Sequence, residues 1–294
     1  MAKTKPTEII SRPRKPKLGQ NFLVDEEAVQ KIIGSLGDIQ QETVLEIGAG
    51  KGALTDRLVR RAGRVVAVEL DHVLAAQLRL RYNTAQNVEI IEADILTVDF
   101  PTMLGIRPGP LRDLRPTARQ KVSVVGNLPY YITSDILLRL FSSHELIEKI
   151  VIMVQLEVGA RIAAKTGTSD YGLLSATAQL YTHAEKLFTL PPASFSPPPK
   201  VHSAVLRLMI EPKFEALQVD EEGFIAFLKL SFAQKRKTLF NNLRQQYESD
   251  QVKKALTTAG VKAEVRSEAL SLEKMARIYR QLAPQAQPVD GGKG

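Results

Sequence analysis

The stretch Thr43-Val-Leu-Glu-Ile-Gly48-Ala-Gly-Lys-Gly52 decides the fold of this 294-residue chain. Its first five residues are mostly apolar or β-branched, which is typical of a buried strand. A loop with three glycines follows, and residues 53–61 then have the apolar spacing of a helix. Glycine lets the backbone adopt positive φ and approach a ligand closely, so this order of strand, loop and helix favours a ligand-binding turn.

Two more strand–helix units follow in the same order. A second predicted strand, Val65–Val68, ends at Glu69, and a helix is expected over residues 72–82. A third strand, Val88–Ile91, leads to Asp94. Strands that alternate with helices predict an α/β fold with a doubly wound parallel sheet, of which these units are the first, Rossmann-like half.

Acidic residues stand at or near the ends of these three strands. Glu69 lies nineteen residues after Gly50, the spacing at which a carboxylate binds ribose hydroxyls. Three carboxylates around one pocket, those of Glu46, Glu69 and Asp94, would repel a pyrophosphate and suit a cationic nucleoside such as S-adenosylmethionine. An NAD-type site is the alternative, although the loop has Gly-x-Gly-x-Gly in place of Gly-x-Gly-x-x-Gly.

A second chemical feature follows the predicted strand formed by Val122, Val124 and Val125. The tetrapeptide Asn127-Leu128-Pro129-Tyr130 begins where this strand leaves the sheet. Open α/β sheets bind ligands just beyond the carboxyl ends of their strands. An amide, a rigid proline and an aromatic ring at that edge suit a flat, hydrogen-bonding ligand such as a nucleobase. An ordinary strand-to-helix turn is the competing interpretation, because turns favour Asn and Pro.

Two further segments carry polar or aromatic groups with two interpretations each. Gln20-Asn21-Phe22-Leu23 precedes a helix that is expected to begin near Asp25, and its polar residues either cap that helix or close over a ligand. Phe195 lies in a proline-rich loop before a predicted strand at Ala204–Leu208. Its ring either packs in the core or forms one wall of a base-stacking slot.

The remaining pattern predicts how the chain divides into domains. Another buried strand is expected at Ile150–Gln155, and helices are expected over residues 134–141, 157–164 and 173–181. From residue 212 the pattern is helical only. We therefore expect a basic flexible tail at 1–17, an α/β domain at 18–211, a small helical domain at 212–283 and a disordered tail at 284–294.

The charge balance favours an anionic partner, nucleic acid first. The formal net charge is +8 and the isoelectric point is about 9.5. Basic residues are concentrated in residues 1–17, in a long proline-bearing stretch at 101–121, and in a C-terminal cluster of Lys235, Arg236, Lys237 and Arg244. Each of these segments either binds nucleic-acid phosphates or is a solvated surface.

Several classes of protein are disfavoured by what the sequence lacks. The chain has no cysteine, which excludes disulfides and thiolate metal sites. Its four histidines have no metal-ligand spacing, so no metal site is expected. No apolar run approaches the roughly 20 residues of a membrane span, and no secretory signal is evident, so we expect a cytoplasmic protein without a membrane partner.

Several short motifs occur in the order in which one enzyme family has them. They are Gln20-Asn-Phe-Leu23, Leu45-Glu-Ile-Gly-Ala-Gly50, Glu69-Leu-Asp71, Asp94, Asn127-Leu-Pro-Tyr130, Phe195-x-Pro-x-Pro-Lys200-Val-x-Ser203, Arg236-Lys237 and Asn242-Leu243. Over residues 18–283 the chain resembles the rRNA adenine N6-dimethyltransferases, and among them the bacterial small-subunit enzymes most. The resemblance implies a Rossmann-like class I methyltransferase domain, S-adenosylmethionine as cofactor, and a smaller all-α RNA-recognition domain at the C-terminus.

The same resemblance implies a reaction and a substrate. The expected enzyme acts as a monomer in ribosome biogenesis and dimethylates N6 of two adjacent adenosines in a hairpin near the 3′ end of 16S rRNA, in the immature 30S particle. One alternative is the sister enzyme that methylates a 23S rRNA adenosine and confers macrolide resistance. Another is a non-catalytic RNA-binding assembly factor that keeps the fold.

Roles for individual residues follow from the resemblance by position. The expected cofactor contacts are Asn21, Leu23, Gly48, Gly50, Glu69, Asp94 and Asn127, with Glu69 on the ribose and Asp94 on the adenine amine. The expected catalytic residues are Asn127, Leu128, Pro129 and Tyr130. The target base is expected to stack between Tyr130 and Phe195. The RNA contacts expected at Lys235, Arg236, Lys237 and Arg244 come instead from the positive charge of that cluster.

Overall fold

The structure, a computed structural model, describes residues 20–106 and 121–283. The strands in these ranges are β1 Phe22–Leu23, β2 Thr43–Ile47, β3 Arg64–Glu69, β4 Val88–Glu92, β5 Val122–Asn127, β6 Ile147–Gln155, β7 Thr182–Leu190, β8 Phe195–Ser196 and β9 Ser203–Ile210. The helices are α1 Glu26–Gly34, α2 Thr55–Leu58, α3 His72–Arg81, α4 Phe100–Leu104, α5 Thr133–Phe141, α6 Leu156–Ile162, α7 Leu173–Tyr181, α8 Phe214–Leu217, α9 Glu221–Ser231, α10 Leu239–Leu243, α11 Ser249–Thr258 and α12 Leu272–Leu282.

Seven of the strands form one sheet in the order β4-β3-β2-β5-β6-β9-β7. The first five are parallel, and β9 runs antiparallel between β6 and β7. The chain moves outward from β2 to β4 and then crosses back to β5 on the other side of β2. The loops after β2 and β5 therefore diverge and open a crevice, which is where doubly wound sheets bind ligands. The predicted α/β class is confirmed.

A second, two-stranded sheet joins distant parts of the chain. β1 pairs antiparallel with β8, in the register Phe22 with Ser196 and Leu23 with Phe195. The Ser194 hydroxyl also donates to the Asp25 carboxylate over 2.8 Å, and Asp25 caps α1 by accepting from the main-chain N–H of Ala28. The segment before α1 is thus held beside the proline-rich loop.

Alternation along the central strands gives the sheet an apolar layer on each face. In β2 the side chains of Val44 and Leu45 belong to different buried clusters, and in β3 the same holds for Val65 and Val66. Successive residues of a strand point to opposite faces, so a strand buried on both sides reads as a continuous apolar run. One cluster contains α1 and the short sheet, and the other continues into the C-terminal helices.

The C-terminal helices share their core with the α/β part. The stacked pair Phe141 and Tyr181 contacts Phe214, whose ring lies edge-on 5.1 Å from Tyr181 between centres. Farther along, Phe224 and Phe227 are stacked and both contact Tyr279 of α12. The change from strands to helices after Ile210 lies beside the boundary that we expected between residues 211 and 212.

Three expectations about local structure need correction. The helix expected over 53–61 is only α2, because turns from the glycine loop continue to Leu54. β7 was not predicted, since it follows α7 without a break and has a mostly polar, edge-strand sequence. The stretch at 101–121 begins inside α4, which Asp99 caps.

Three of the expected segments lie wholly or mostly outside the residues that the structure describes. The tails at 1–17 and 284–294 lie outside the described residues, and so does most of the stretch at 101–121, residues 107–120.

The close approach of β2 and β5 at Gly126 tests this packing. A Cβ atom built on Gly126 of β5 would lie 2.5 Å from the carbonyl oxygen of Ile47 on β2, far inside van der Waals contact. We expect Gly126→Ala to lower the free energy of unfolding by about 2 kcal/mol, measured by urea titration. Gly34→Ala is the matched control, because a Cβ there meets no atom within 4 Å. Equal losses in both variants would contradict this account of the β2–β5 contact.

Candidate active site

An open cleft lies at the crevice where the sheet order reverses. Its walls come from the segment before α1, from the loop after β2, from the ends of β3 and β4, and from the tetrapeptide after β5. The polar or charged residues among its lining are Gln20, Asn21, Glu46, Lys51, Glu69, Asp94, Asn127, Tyr130 and Tyr131. The cleft thus contains the cofactor residues that the sequence predicted, with the tetrapeptide beside them.

The glycine loop binds directly to the acid at the end of β3. The main-chain N–H of Gly50 donates to Glu69 Oε2 over 2.7 Å. Gly50 has a φ of 58°, and a Cβ on it would lie 3.1 Å from the Phe22 ring. Glycine is needed there both for the left-handed conformation and for the packing of Phe22. The loop is a backbone cradle that side chains do not obstruct.

Glu69 is held rigidly although its carboxylate faces the cleft. Its second oxygen, Oε1, accepts from the main-chain N–H of Asp71 over 2.9 Å. Asp71 in turn caps α3 by accepting from Val73 and Leu74. A carboxylate with both oxygens fixed by main-chain donors can accept two further hydrogen bonds in a constant geometry, as a ribose diol requires.

Asp94 occupies the corresponding place beyond β4. Its Oδ1 accepts from the main-chain N–H of Leu96 over 2.9 Å, which forms a tight turn that presents the carboxylate to the cleft. β4 is next to β3 in the sheet, so Asp94 and Glu69 stand on neighbouring strands. Both residues line the cleft.

Glu46 is the most deeply buried of the three acids, with 1 % of its surface exposed. Burial raises its pKa from 4.5 to about 8, although a 2.6 Å hydrogen bond from Thr55 Oγ1 opposes this shift. The nearby Glu69 charge raises the pKa further. Burial therefore favours the protonated form of this carboxyl group at neutral pH.

The tetrapeptide after β5 is fixed at both ends. The Asn127 amide nitrogen Nδ2 donates to the main-chain oxygen of Asn21 over 2.8 Å. The main-chain N–H of Leu128 donates to Met153 on β6, and the carbonyl of Pro129 accepts from the Thr133 hydroxyl. Since Nδ2 is engaged by Asn21, the Asn127 side-chain oxygen is the group left to accept from a ligand.

Two tyrosines follow that amide, and one of them was not predicted. The Tyr130 hydroxyl lies 3.1 Å from Ser203 Oγ, which anchors the far end of its ring. Tyr131 also lines the cleft and is 62 % exposed. The repeated Tyr130-Tyr131 is visible in the sequence, but from the sequence we assigned Tyr131 no role.

The structure does not support the stacking role expected for Phe195. The Phe195 ring is only 3 % exposed and belongs to the buried cluster that contains Leu23, its partner in the short sheet. It is also not among the cleft-lining residues. In this conformation the core interpretation is correct, because the β1–β8 pairing places the ring in the apolar layer.

The predicted RNA-binding cluster lies apart from the cleft lining. Lys235, Arg236 and Lys237 are exposed in the turn between α9 and α10, and Arg244 is exposed after α10. The turn is held by Asn242, which is buried and donates to the main-chain oxygens of Ser231 and Gln234. Asn242 therefore has a structural role in presenting three adjacent cations.

The chemistry of the cleft fits S-adenosylmethionine. It offers a carboxylate for a ribose diol, another for an adenine amine, a glycine backbone for close approach, and acidic surroundings for a sulfonium. When bound, this cofactor supplies an electrophilic methyl group. Within residues 20–106 and 121–283, no group of His, Asp or Glu side chains is arranged to hold a metal ion.

A family model described as ribosomal RNA adenine dimethylase matches residues 12–284, nearly the whole chain. The chain belongs to this family. A ribosomal RNA small subunit methyltransferase A from Koribacter versatilis is 64 % identical over 92 % of this chain and 96 % of its own length. Its counterpart from Acidobacterium capsulatum is 50 % identical over 95 % of each chain. The crystal structure of 23S rRNA methyltransferase ErmE is 27 % identical, with a TM-score of 0.62 over 89 % of this chain and 99 % of that one.

Family membership agrees with the geometry of the cleft. The chain is an S-adenosylmethionine-dependent rRNA methyltransferase with a Rossmann-like fold, as the sequence resemblance implied. In the part of the chain that the structure describes, no helix combines the length and apolar character needed to cross a bilayer.

The buried Glu46 carboxyl makes stability depend on pH. The folded chain keeps its proton up to a pKa of about 8, whereas an unfolded chain releases it near 4.5. The stabilisation is complete below pH 4.5 and is lost as the pH rises through 8, at about 1.4 kcal/mol for each unit of pKa difference. Glu46→Gln keeps an acceptor for Thr55 and does not ionise. The unfolding free energy of wild type minus that of Glu46→Gln should therefore fall by a few kcal/mol between pH 5 and 8.

A constant difference over this range would contradict a protonated Glu46. Glu89→Gln is a suitable control, since Glu89 is exposed and outside the cleft lining. Denaturant titrations at several pH values give the required free energies.

Proposed function

We propose that this enzyme dimethylates N6 of two adjacent adenosines near the 3′ end of 16S rRNA, acting as a monomer on the immature 30S particle in the cytoplasm. The observation that carries the proposal is the oriented Asn127 amide beside the acid-lined cofactor cleft. An amide oxygen that is fixed at this edge suits an exocyclic amine, the group that an adenine N6-methyltransferase must bind.

The choice of rRNA rests on the relatives. The two small-subunit enzymes are 64 % and 50 % identical to this chain, whereas the 23S rRNA enzyme is 27 % identical. All three extend over at least 89 % of this chain, so the contrast does not come from partial matches. This difference favours 16S rRNA over 23S rRNA as the substrate.

Asn127 and Leu128 act on the nitrogen of the target adenine. The N6 lone pair of adenine is delocalised into the ring, which makes it a weak nucleophile. The Asn127 side-chain oxygen and the Leu128 carbonyl accept the two N6 hydrogens and draw the nitrogen towards a tetrahedral shape. They also stabilise the positive charge that develops on N6, and water takes the proton afterwards. After one methylation a single N6 hydrogen remains, so one acceptor is sufficient for the second.

Fixed geometry makes these acceptors effective. The main-chain N–H of Leu128 is bonded to β6, and the Pro129 ring limits the backbone between the two acceptors and the tyrosines. Groups that are already oriented need no reorganisation when charge develops. Tyr130, anchored at Ser203, supplies a ring on which the flipped adenine stacks, and the exposed Tyr131 lies next to it.

The basic turn of Lys235, Arg236 and Lys237 provides an anion-binding surface for the rRNA. Three adjacent exposed cations on a turn that Asn242 fixes are suited to phosphate contacts, which position an RNA without reading its bases. The net charge of +8 supports the same partner. Lys235 Nζ also donates to the main-chain oxygen of Ser169 over 2.7 Å, so the turn touches the loop after α6.

Methyl transfer from labelled S-adenosylmethionine to purified particles tests this function. Immature 30S particles from cells that lack the dimethylation should take up four methyl groups, and primer extension should map them to two adjacent adenosines of 16S rRNA. Label in 23S rRNA would favour the sister activity. Absence of label in both rRNAs would favour a non-catalytic assembly factor.

Removal of the Asn127 amide should separate catalysis from cofactor binding. We expect Asn127→Ala to lower the methyl-transfer rate at least 100-fold, because a charge-stabilising acceptor is lost, while S-adenosylhomocysteine still binds with a moderately raised Kd. Quench-flow or filter assays give the rate and calorimetry gives the Kd. Asn83→Ala, an exposed asparagine after α3, is the control. Near-normal transfer by Asn127→Ala would rule out this mechanism.

Removal of positive charge at the basic turn should weaken RNA binding and leave cofactor binding unchanged. The double variant Arg236→Gln with Lys237→Gln should raise the KM for 30S particles about tenfold and reduce the salt dependence of binding, since each phosphate contact adds about one unit to the salt slope. The Kd for S-adenosylhomocysteine should not change. Lys229→Gln with Lys254→Gln removes two exposed charges on neighbouring helices as a control. An equal effect of both pairs would show that net charge alone is important.

A further inference from the structure

We infer that Lys51 is the anion-binding residue of the cofactor cleft and pairs with the carboxylate of the cofactor's methionine group. Lys51 follows Gly50 in the glycine loop and lines the cleft. Neither composition nor spacing gave this residue a role. The inference rests on the proposed function, because it concerns the same cleft and the same cofactor.

The charges of the cleft single out Lys51. The acidic residues of the cleft are Glu46, Glu69 and Asp94, and among the lining residues that the structure describes Lys51 is the sole cation. A ligand carboxylate that enters such a cleft is repelled by the acids unless a cation faces it. S-adenosylmethionine brings a carboxylate as well as its positive charges.

The order of the strands predicts where that carboxylate lies. Asp94 follows β4, Glu69 ends β3, the glycine loop follows β2, and Asn127 ends β5, and these strands are consecutive neighbours in the sheet. If the adenine and ribose lie at the first two positions, and the methyl group faces Asn127 at the fourth, the methionine group is left at the third. The third position is the loop that contains Lys51.

Both the backbone and the side chain of Lys51 are held in place. Its main-chain oxygen accepts from Arg81 over 3.1 Å, and Arg81 is paired with Asp56. Its ammonium nitrogen lies 4.7 Å from the centre of the Phe22 ring, within the range of a cation–π contact. The Phe22 ring itself packs on Gly50.

The charge of Lys51 is available for a ligand. No ion pair joins its ammonium to a carboxylate among residues 20–106 and 121–283. An aromatic face orients an ammonium group without neutralising it. Lys51 is therefore an oriented cation at the edge of an otherwise acidic cleft.

Two ligands that differ in the amino-acid group test the pairing. S-adenosylhomocysteine has the carboxylate, and 5′-methylthioadenosine lacks the whole amino-acid end but keeps the nucleoside. Calorimetry on the full chain should show that Lys51→Met weakens S-adenosylhomocysteine about tenfold, as expected for a lost charge-assisted contact, and changes 5′-methylthioadenosine less than twofold. Methionine keeps the apolar stem over the Phe22 ring, and thermal unfolding checks that the variant is folded.

Two further variants separate the charge of Lys51 from general effects of lysine removal. Lys51→Arg keeps the positive charge and should recover most of the affinity for S-adenosylhomocysteine. Lys186→Met, an exposed lysine on the edge strand β7, should leave both affinities unchanged.

Several outcomes would overturn the inference. It is wrong if Lys51→Met changes the S-adenosylhomocysteine Kd less than twofold or weakens both ligands equally. It is also wrong if the variant raises only the KM for 30S particles, since the anion would then be an RNA phosphate. Failure of the wild-type chain to bind either ligand would contradict the proposed function and this inference together, whereas a specific loss in Lys51→Met leaves the proposed function intact.

Discussion

The hydrogen bond from the Asn127 amide to the main-chain oxygen of Asn21 joins residues that are 106 positions apart and closes the cleft between them. It uses the nitrogen of the amide, so the side-chain oxygen remains as the acceptor that we propose for the ligand. The β1–β8 pairing supports it by holding the segment of Asn21 and Phe22 against the proline-rich loop. The same segment carries Phe22, the ring over which the Lys51 ammonium lies.

The cleft combines rigid main-chain contacts with acidic groups that are costly to bury. Glu69 has both oxygens bound by main-chain N–H groups, which fixes the orientation of its carboxylate. Glu46 has no such pair of main-chain donors and is held in its protonated form by burial. Acidic groups in a cleft attract a cationic cofactor, which is the basis of the selectivity for a sulfonium that we propose.

Local sequence patterns predicted the features that neighbouring residues control. The strands that end at Glu69, Asp94 and Asn127 were predicted because apolar runs and turn residues are local signals, and parallel pairing then brings these ends together. The misplaced features depend on tertiary contacts. Phe195 has a partner in Leu23, 172 positions earlier, and nothing near Phe195 reveals that its ring is buried. β7 has an edge-strand sequence, and only its pairing with β9 makes it a strand. A role for Lys51 could not be predicted from the sequence, because only the structure shows that no other cation lines the described cleft.

We propose that the Asn127 oxygen, oriented through Asn21, accepts a hydrogen from the adenine N6. A crystal structure of the full chain with S-adenosylhomocysteine and adenosine bound would show this contact. We expect an adenine ring stacked on Tyr130, with N6 about 3 Å from Asn127 Oδ1 and the Asn127 Nδ2 bond to Asn21 retained. An adenosine whose N6 points away from Asn127, or an Asn127 amide rotated so that its nitrogen faces the base, would show that the proposed contact is wrong.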